Sequence, residues 1–148
     1  MNLLAPISSI MTKNVRTVNT DDSLTVVEEL FNDFGIHHVP VLDEGKLVGI
    51  ISKTDFLLFR RGFFETGIEE KFDKFRLRNH TARDIMTKGL AKLAPTDKIN
   101  VALEVFKKNM LHALLITEND KLVGIITTHD IIRHLADDKS AVNEYVIK

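Results

Sequence analysis

Between Asp21 and Gly35 the chain reads DDSLTVVEELFNDFG, with apolar residues at Leu24, Val27, Leu30, Phe31 and Phe34. That spacing places them on one face of a helix. Asp21 or Asp22 can cap its start, and Gly35 suits the left-handed position after its end. The pattern then changes. HHVPVLD predicts a short strand, DEGK a tight turn, and KLVGII a second strand, buried enough to be almost wholly apolar. SKTD leads directly into FLLFRR, a second helix. With the short extended piece IMTKNVRTV in front, the predicted order is β-α-β-β-α.

The chain then repeats itself. Met11 and Met86, Gly49 and Gly124, and Asp55 and Asp130 each stand 75 residues apart. One ungapped offset aligns residues 7–60 with 82–135. Asp22, Val26, Glu29, Phe31 and His37 return as Asp97, Val101, Glu104, Phe106 and His112. TDKINVALEVFKKNM predicts a helix with Ile99, Ala102, Val105 and Phe106 on one face. HALLIT and KLVGII are strands around the ENDK turn, and HDIIRHLA is the closing helix. The expected division is a first repeat over 1–60, a helical linker or insertion over 61–81, and a second repeat with a C-terminal tail over 82–148. One half alone buries little surface, so two halves are expected to cover each other's sheets in one pseudo-twofold α/β domain of α+β type. Within RRGFFETGIEEKFDKFRLRNHT, residues 60–81, Ile68, Phe72 and Phe75 share a helical face. This segment reads as a linker helix packed on its own domain, or as a flap facing a partner.

Charge narrows the function. Twenty basic and 21 acidic residues leave a net charge of −1, without the basic excess of a nucleic-acid or membrane-surface binder. There is no cysteine, hence no disulfide, thiolate metal site or thiol nucleophile. MNLLAPISSIM lacks the basic and long apolar regions of a signal peptide. Runs such as LVGII are far shorter than the roughly 20 residues a membrane span needs. A soluble, cytoplasmic protein is expected. No Gly-rich loop ending in Gly-Lys-Ser/Thr and no G-x-S-x-G elbow occurs, so no catalytic residue is assigned and the protein is expected not to be an enzyme.

Candidate chemistry sits where strand meets helix, in Ser52-Lys53-Thr54-Asp55 and Thr127-Thr128-His129-Asp130. Ser-x-x-Asp has a plain reading as a helix cap, the acid reaching back to a free amide. It also has a functional one. A helix start offers unpaired N–H groups and a positive dipole end, which suit phosphate. A nearby carboxylate can accept both hydroxyls of a ribose, and a Ser or Thr hydroxyl can donate to phosphate. Gly49 and Gly124 let another group approach the backbone closely, or serve strand packing alone. His37, His38, Lys53, His112, His129 and Arg133 are basic or can become so, and are candidates for the phosphates. His37 and His38 are neighbours on a strand and point to opposite faces, a poor joint metal site. His129 and His134 miss the i, i+4 spacing of a helical zinc pair, so no metal site is assigned.

Together IMTKNVRTV with IMTKGLAKL, and GIHHVPVLDEGKLVGIISKTD with MLHALLITENDKLVGIITTHD, resemble a tandem pair of cystathionine β-synthase (CBS) domains. The resemblance covers nearly the whole chain except the 60–81 insertion and the tail. It implies a disc-like module with two clefts between the repeats that take AMP, ADP, ATP, S-adenosylmethionine or dinucleotides. In the family pattern the acid holds the ribose, which maps to Asp55 and Asp130 with Ser52 and Thr127 as hydroxyl partners. The residue three before the strand proline helps with phosphate from the opposite repeat, which maps to His112 for the Asp55 cleft and His37 for the Asp130 cleft. The residue before each acid, Thr54 or His129, can also reach across. Val15, Thr17, Ile36, Val39, Leu90, Leu111 and Leu114 are the adenine candidates. Repeat two departs at Leu115, where repeat one has Pro40, and at Lys92, where repeat one has Thr17. Lys92 either favours phosphate in one cleft or is simply solvated. The expected protein is a stand-alone, energy-sensing regulatory module with no catalytic cofactor. It binds an adenine nucleotide, with or without Mg2+, forms a homodimer, signals to an unidentified target protein, and engages neither nucleic acid nor membrane. The alternative is a dimerisation scaffold with empty clefts.

Overall fold

Each repeat is built on a hairpin. Strand β2 (His38–Asp43) pairs antiparallel with β3 (Lys46–Ser52), and β1 (Val18–Asn19) lies parallel to β2. The second sheet repeats the order with β4 (Lys92–Leu93), β5 (Ala113–Glu118) and β6 (Lys121–Thr127). Both hairpin turns use two residues at positive φ, Glu44-Gly45 and Asn119-Asp120, the twist a two-residue loop needs. Even the irregularity recurs: the register shifts between Val41 and Leu42, and again between Ile116 and Thr117. The computed structural model describes residues 1–64 and 70–138, and only the backbone of 62–64, 70 and 71.

The helices follow the apolar spacing closely. Helix α1 (Leu24–Phe34) buries Leu24, Val27 and Phe31, with Leu30 packed alongside. Phe34 departs from the expected face. It is exposed, and the Arg16 guanidinium lies over its ring at 4.0 Å. The cap position belongs to Ser23 instead of Asp21 or Asp22. The Asp22 carboxylate is taken by the preceding turn, where it accepts the Asn19 N–H at 2.7 Å. Asp97 accepts the Ala94 N–H at the same distance, so this acid closes the approach to the helix in both copies. In the second copy helix α5 (Ile99–Asn109) buries Ile99, Ala102 and Phe106, with Val105 packed against them.

Gly35 ends α1 at φ 59°, as its type suggests, but Met110 ends α5 at φ 51°. A side chain in that region is strained, and this one is almost wholly exposed. Met110→Gly is expected to raise stability by about 0.5–1 kcal/mol in urea unfolding, the relieved strain exceeding the entropy glycine adds to the unfolded chain.

The remaining helices are α2 (Lys53–Phe64), α3 (Glu70–Asn79), α4 (Ala82–Ile85) and α6 (Thr128–Asp137). Ile68 lies outside the described residues. Helix α3 packs through Leu77 and Asp73, while Phe72 and Phe75 are 52% and 56% exposed. The face expected to be packed therefore points outward. Among the described residues, no helix is long and apolar enough to cross a membrane.

Residues 15–90 form one compact unit, and residues 1–14 with 91–148 form the other. Each sheet is thus joined by the opening IMTK segment of the other copy. Ile50 and Thr87 exchange two backbone hydrogen bonds, and so do Ile125 and Thr12. The reason is visible at the glycines. A Cβ on Gly49 would lie 2.5 Å from the Met86 sulfur, and one on Gly124 would lie 2.5 Å from the Met11 sulfur. The glycine in KLVGII is the seat of the methionine in IMTK, so the slot it opens is filled by the chain itself.

Candidate functional site

In both units the first helical N–H after the hairpin is spent on a histidine carbonyl. Lys53 N–H donates to His37 O at 2.8 Å, and Thr128 N–H donates to His112 O at 3.1 Å. This ties the loop before β2 or β5 to the start of α2 or α6. His37 and His112 are therefore exposed beside a helix start. His37 precedes the strand, which begins at His38, so the two histidines are not alternating strand residues.

The two acids have the same spacing but different surroundings. At Asp130 the cap is complete. The Asp130 N–H donates to Thr127 Oγ1 at 3.1 Å, and Asp130 Oδ2 accepts the Thr127 N–H at 2.9 Å and its hydroxyl at 2.8 Å. Arg133 Nη2 holds the other oxygen, Oδ1, at 3.1 Å. Asp130 is 8% exposed, and both its oxygens are engaged by its own helix. Asp130 is thus placed as a helix cap, and Arg133 is its ion-pair partner.

At Asp55 only half of that arrangement forms. Its N–H donates to Ser52 Oγ at 3.0 Å. Its half-buried carboxylate has no hydrogen-bond or ion-pair partner among the described residues. The residue equivalent to Arg133 is Leu58, an exposed apolar side chain that cannot hold an acid. On the same turn as Asp55 stand half-buried Ser52 and Lys53 and exposed Thr54, with the exposed His37 tied to Lys53 through its carbonyl. His38 is half-buried at the start of β2. In the other unit His129 and His112 are exposed near the start of α6.

The adenine candidates divide sharply. Val15, Thr17, Ile36 and Leu90 are half-buried, and Leu111 is exposed. Val39 and Leu114 are fully buried in the cores of their units. Their side chains fill the space between sheet and helix, which leaves only their backbone to meet a ligand. Lys92 is exposed on β4. Among the described residues, no group of three or more His, Cys, Asp or Glu is placed to hold a metal. Sequence reasoning overlooked Arg60 and Asp73, an ion pair across α2 and α3, because nothing in local spacing links them.

The family model described as CBS domain matches this chain twice, over residues 7–62 and 82–137. An uncharacterized protein of Methanocaldococcus jannaschii, MJ1232, is 32% identical over 122 residues, 82% of this chain and 36% of its own length. The chain spans 32% to 47% of the length of the curated relatives it matches first. Among solved structures, the CBS domain pair of MJ0100, in complex with 5'-methylthioadenosine and S-adenosyl-L-methionine, has a TM-score of 0.72 at 21% identity, covering 90% of this chain and 97% of that one. CBSX2 in complex with AMP has a TM-score of 0.71 at 20% identity, covering 89% and 96%. Matched over both of its repeats, this chain belongs to the CBS domain family and carries two CBS domains in tandem.

Proposed function

We propose that the protein is a regulatory module that binds an adenosine-containing nucleotide at the start of α2, with Asp55 gripping the ribose hydroxyls. One observation carries this reading: the Asp55 carboxylate sits at a helix start with no partner among the described residues. Burying part of a carboxylate without a partner is costly, and two hydroxyl donors relieve that cost. Ser52 is proposed as the hydroxyl partner of Asp55 at the ribose, and Lys53 and Thr54 as donors for phosphate on the same turn. The ligands held by MJ0100 and CBSX2 all contain adenosine, which supports that choice of ligand here. Within the unit of residues 15–90, His37 and His38 are proposed phosphate contacts, and Val15, Thr17, Ile36 and Leu90 are proposed to contact adenine. The module is proposed to act as a cytoplasmic homodimer that passes occupancy to a target protein by binding the nucleotide more tightly in one conformation than in another. It is read as a binder without catalysis.

The closed cap at Asp130 favours a second reading for its own half, a scaffold seat that takes no ligand. Titration calorimetry with AMP, ADP, ATP and S-adenosylmethionine, each with and without Mg2+, separates the two. One equivalent of an adenosine ligand is expected. A ligand at 100 times its dissociation constant should also add about 2.7 kcal/mol of stability. If none of the four binds or shifts unfolding, the scaffold reading holds for the whole chain.

A further inference from the structure

Within the unit formed by residues 15–90 lies a cavity of about 390 Å3 that the nucleotide reading does not use. Thr25 and Glu28 of α1 line it, facing Lys74, Leu77 and Arg78 of α3. Its volume falls at the low end of small-molecule pockets, roughly 300–1,000 Å3. Helix α3 belongs to the insertion, and among the described residues the second repeat shows no equivalent wall.

Among the described residues, the charges lining this cavity are unbalanced. Lys74 and Arg78 stand one turn apart on α3, so their heads are neighbours. Neither has a hydrogen-bond or ion-pair partner among the described residues. Glu28, the acid in the wall, is held by the Arg60 guanidinium, which also holds Asp73. That acid is therefore compensated from outside the cavity, while the two cations have no counter-charge among the described residues. Below them Leu77 is buried, and the alkyl stems of Lys74 and Arg78 extend the apolar floor.

We propose that this cavity binds a small amphiphilic anion, a carboxylate or phosphate head on a short apolar body. The body lies along the alkyl stems of Lys74 and Arg78 above buried Leu77, and the head sits between the Lys74 ammonium and the Arg78 guanidinium, with the Thr25 hydroxyl as a further donor. Inorganic phosphate meets the cations but not the floor. A fatty amine meets the floor but is repelled by the cations.

The test is an amide NMR titration of the full chain with octanoate, octyl phosphate, inorganic phosphate and octylammonium. Octanoate or octyl phosphate should shift the Thr25 and Leu77 amides, and the tighter of the two identifies the head. Lys74→Gln with Arg78→Gln should weaken that probe by about tenfold or more, ~1.4 kcal/mol per factor of ten. Both residues are exposed, so the variant keeps its core. Asp55→Ala should leave the probe's affinity unchanged, which separates this site from the nucleotide seat. The proposal falls if neither anion shifts those amides, if octylammonium shifts them equally, or if the double variant binds as tightly as the parent.

Discussion

Arg60→Leu is expected to destabilise the protein by about 3–5 kcal/mol in urea unfolding. The guanidinium of Arg60 bridges Glu28 on α1 and Asp73 on α3, and Asp73 is only 1% exposed. Removing the cation leaves a carboxylate buried without a counter-charge, the most expensive way to break such a pair. The pair itself contributes far less than that loss implies. Arg60 Nε and Asp73 Oδ1 are buried without hydrogen-bond partners among the described residues, so the bridge does not meet its full desolvation cost. Arg60→Leu combined with Asp73→Leu should therefore recover most of the loss. The second repeat supports this, since it carries Leu135 and Leu103 where the first has Arg60 and Glu28. The ion pair accompanies the insertion helix and is no requirement of the fold. A single variant that loses less than ~1 kcal/mol would mean that α3 swings away and lets Asp73 reach water.

The same comparison explains what sequence could and could not reveal. The hairpins and helices α1 and α5 were legible because period and turn chemistry agree at most positions, down to the paired positive-φ residues between strands. Phe34 shows the limit of the period. It has the right spacing, but it closes the last turn of α1, where Arg16 covers it and the core does not. In α3 the spacing of Phe72 and Phe75 suggested the packed face, yet Asp73 and Leu77 are inside. Burying an aspartate becomes tolerable only through Arg60, from a different helix. The exchange of opening segments was hidden for a similar reason. Identical IMTK motifs fit identical glycine seats, so the sequence does not say which methionine covers which glycine. At the candidate site, both acids were found by their spacing. Their surroundings differ twice over: Thr127 closes the cap on Asp130 where Ser52 leaves Asp55 open, and a turn further on Arg133 stands where the first copy has Leu58.

That difference makes the strongest functional prediction. Asp55→Ala should lower affinity for AMP by about 10- to 100-fold, matching the 1.5–3 kcal/mol of hydrogen bonds to a charged group. It should weaken ribose-free adenine far less, because only hydroxyl contacts are lost. Stability should stay within ~0.5 kcal/mol, since the Ser52 cap on the Asp55 N–H survives. Asp130→Ala should do the opposite. It removes the acceptor of three short contacts at the start of α6 and should cost about 1–2 kcal/mol of stability. The side chain one turn on provides the reciprocal test. Leu58→Arg gives Asp55 the partner that Asp130 already has, and AMP must then compete with a guanidinium for the carboxylate. Arg133→Leu frees Oδ1 of Asp130, with Oδ2 still held by Thr127, and should add a second, weaker equivalent of AMP in calorimetry. If Asp55→Ala binds AMP as the parent does, or loses adenine and AMP in equal measure, the open carboxylate is a helix cap that lacks its arginine, and the nucleotide seat lies elsewhere.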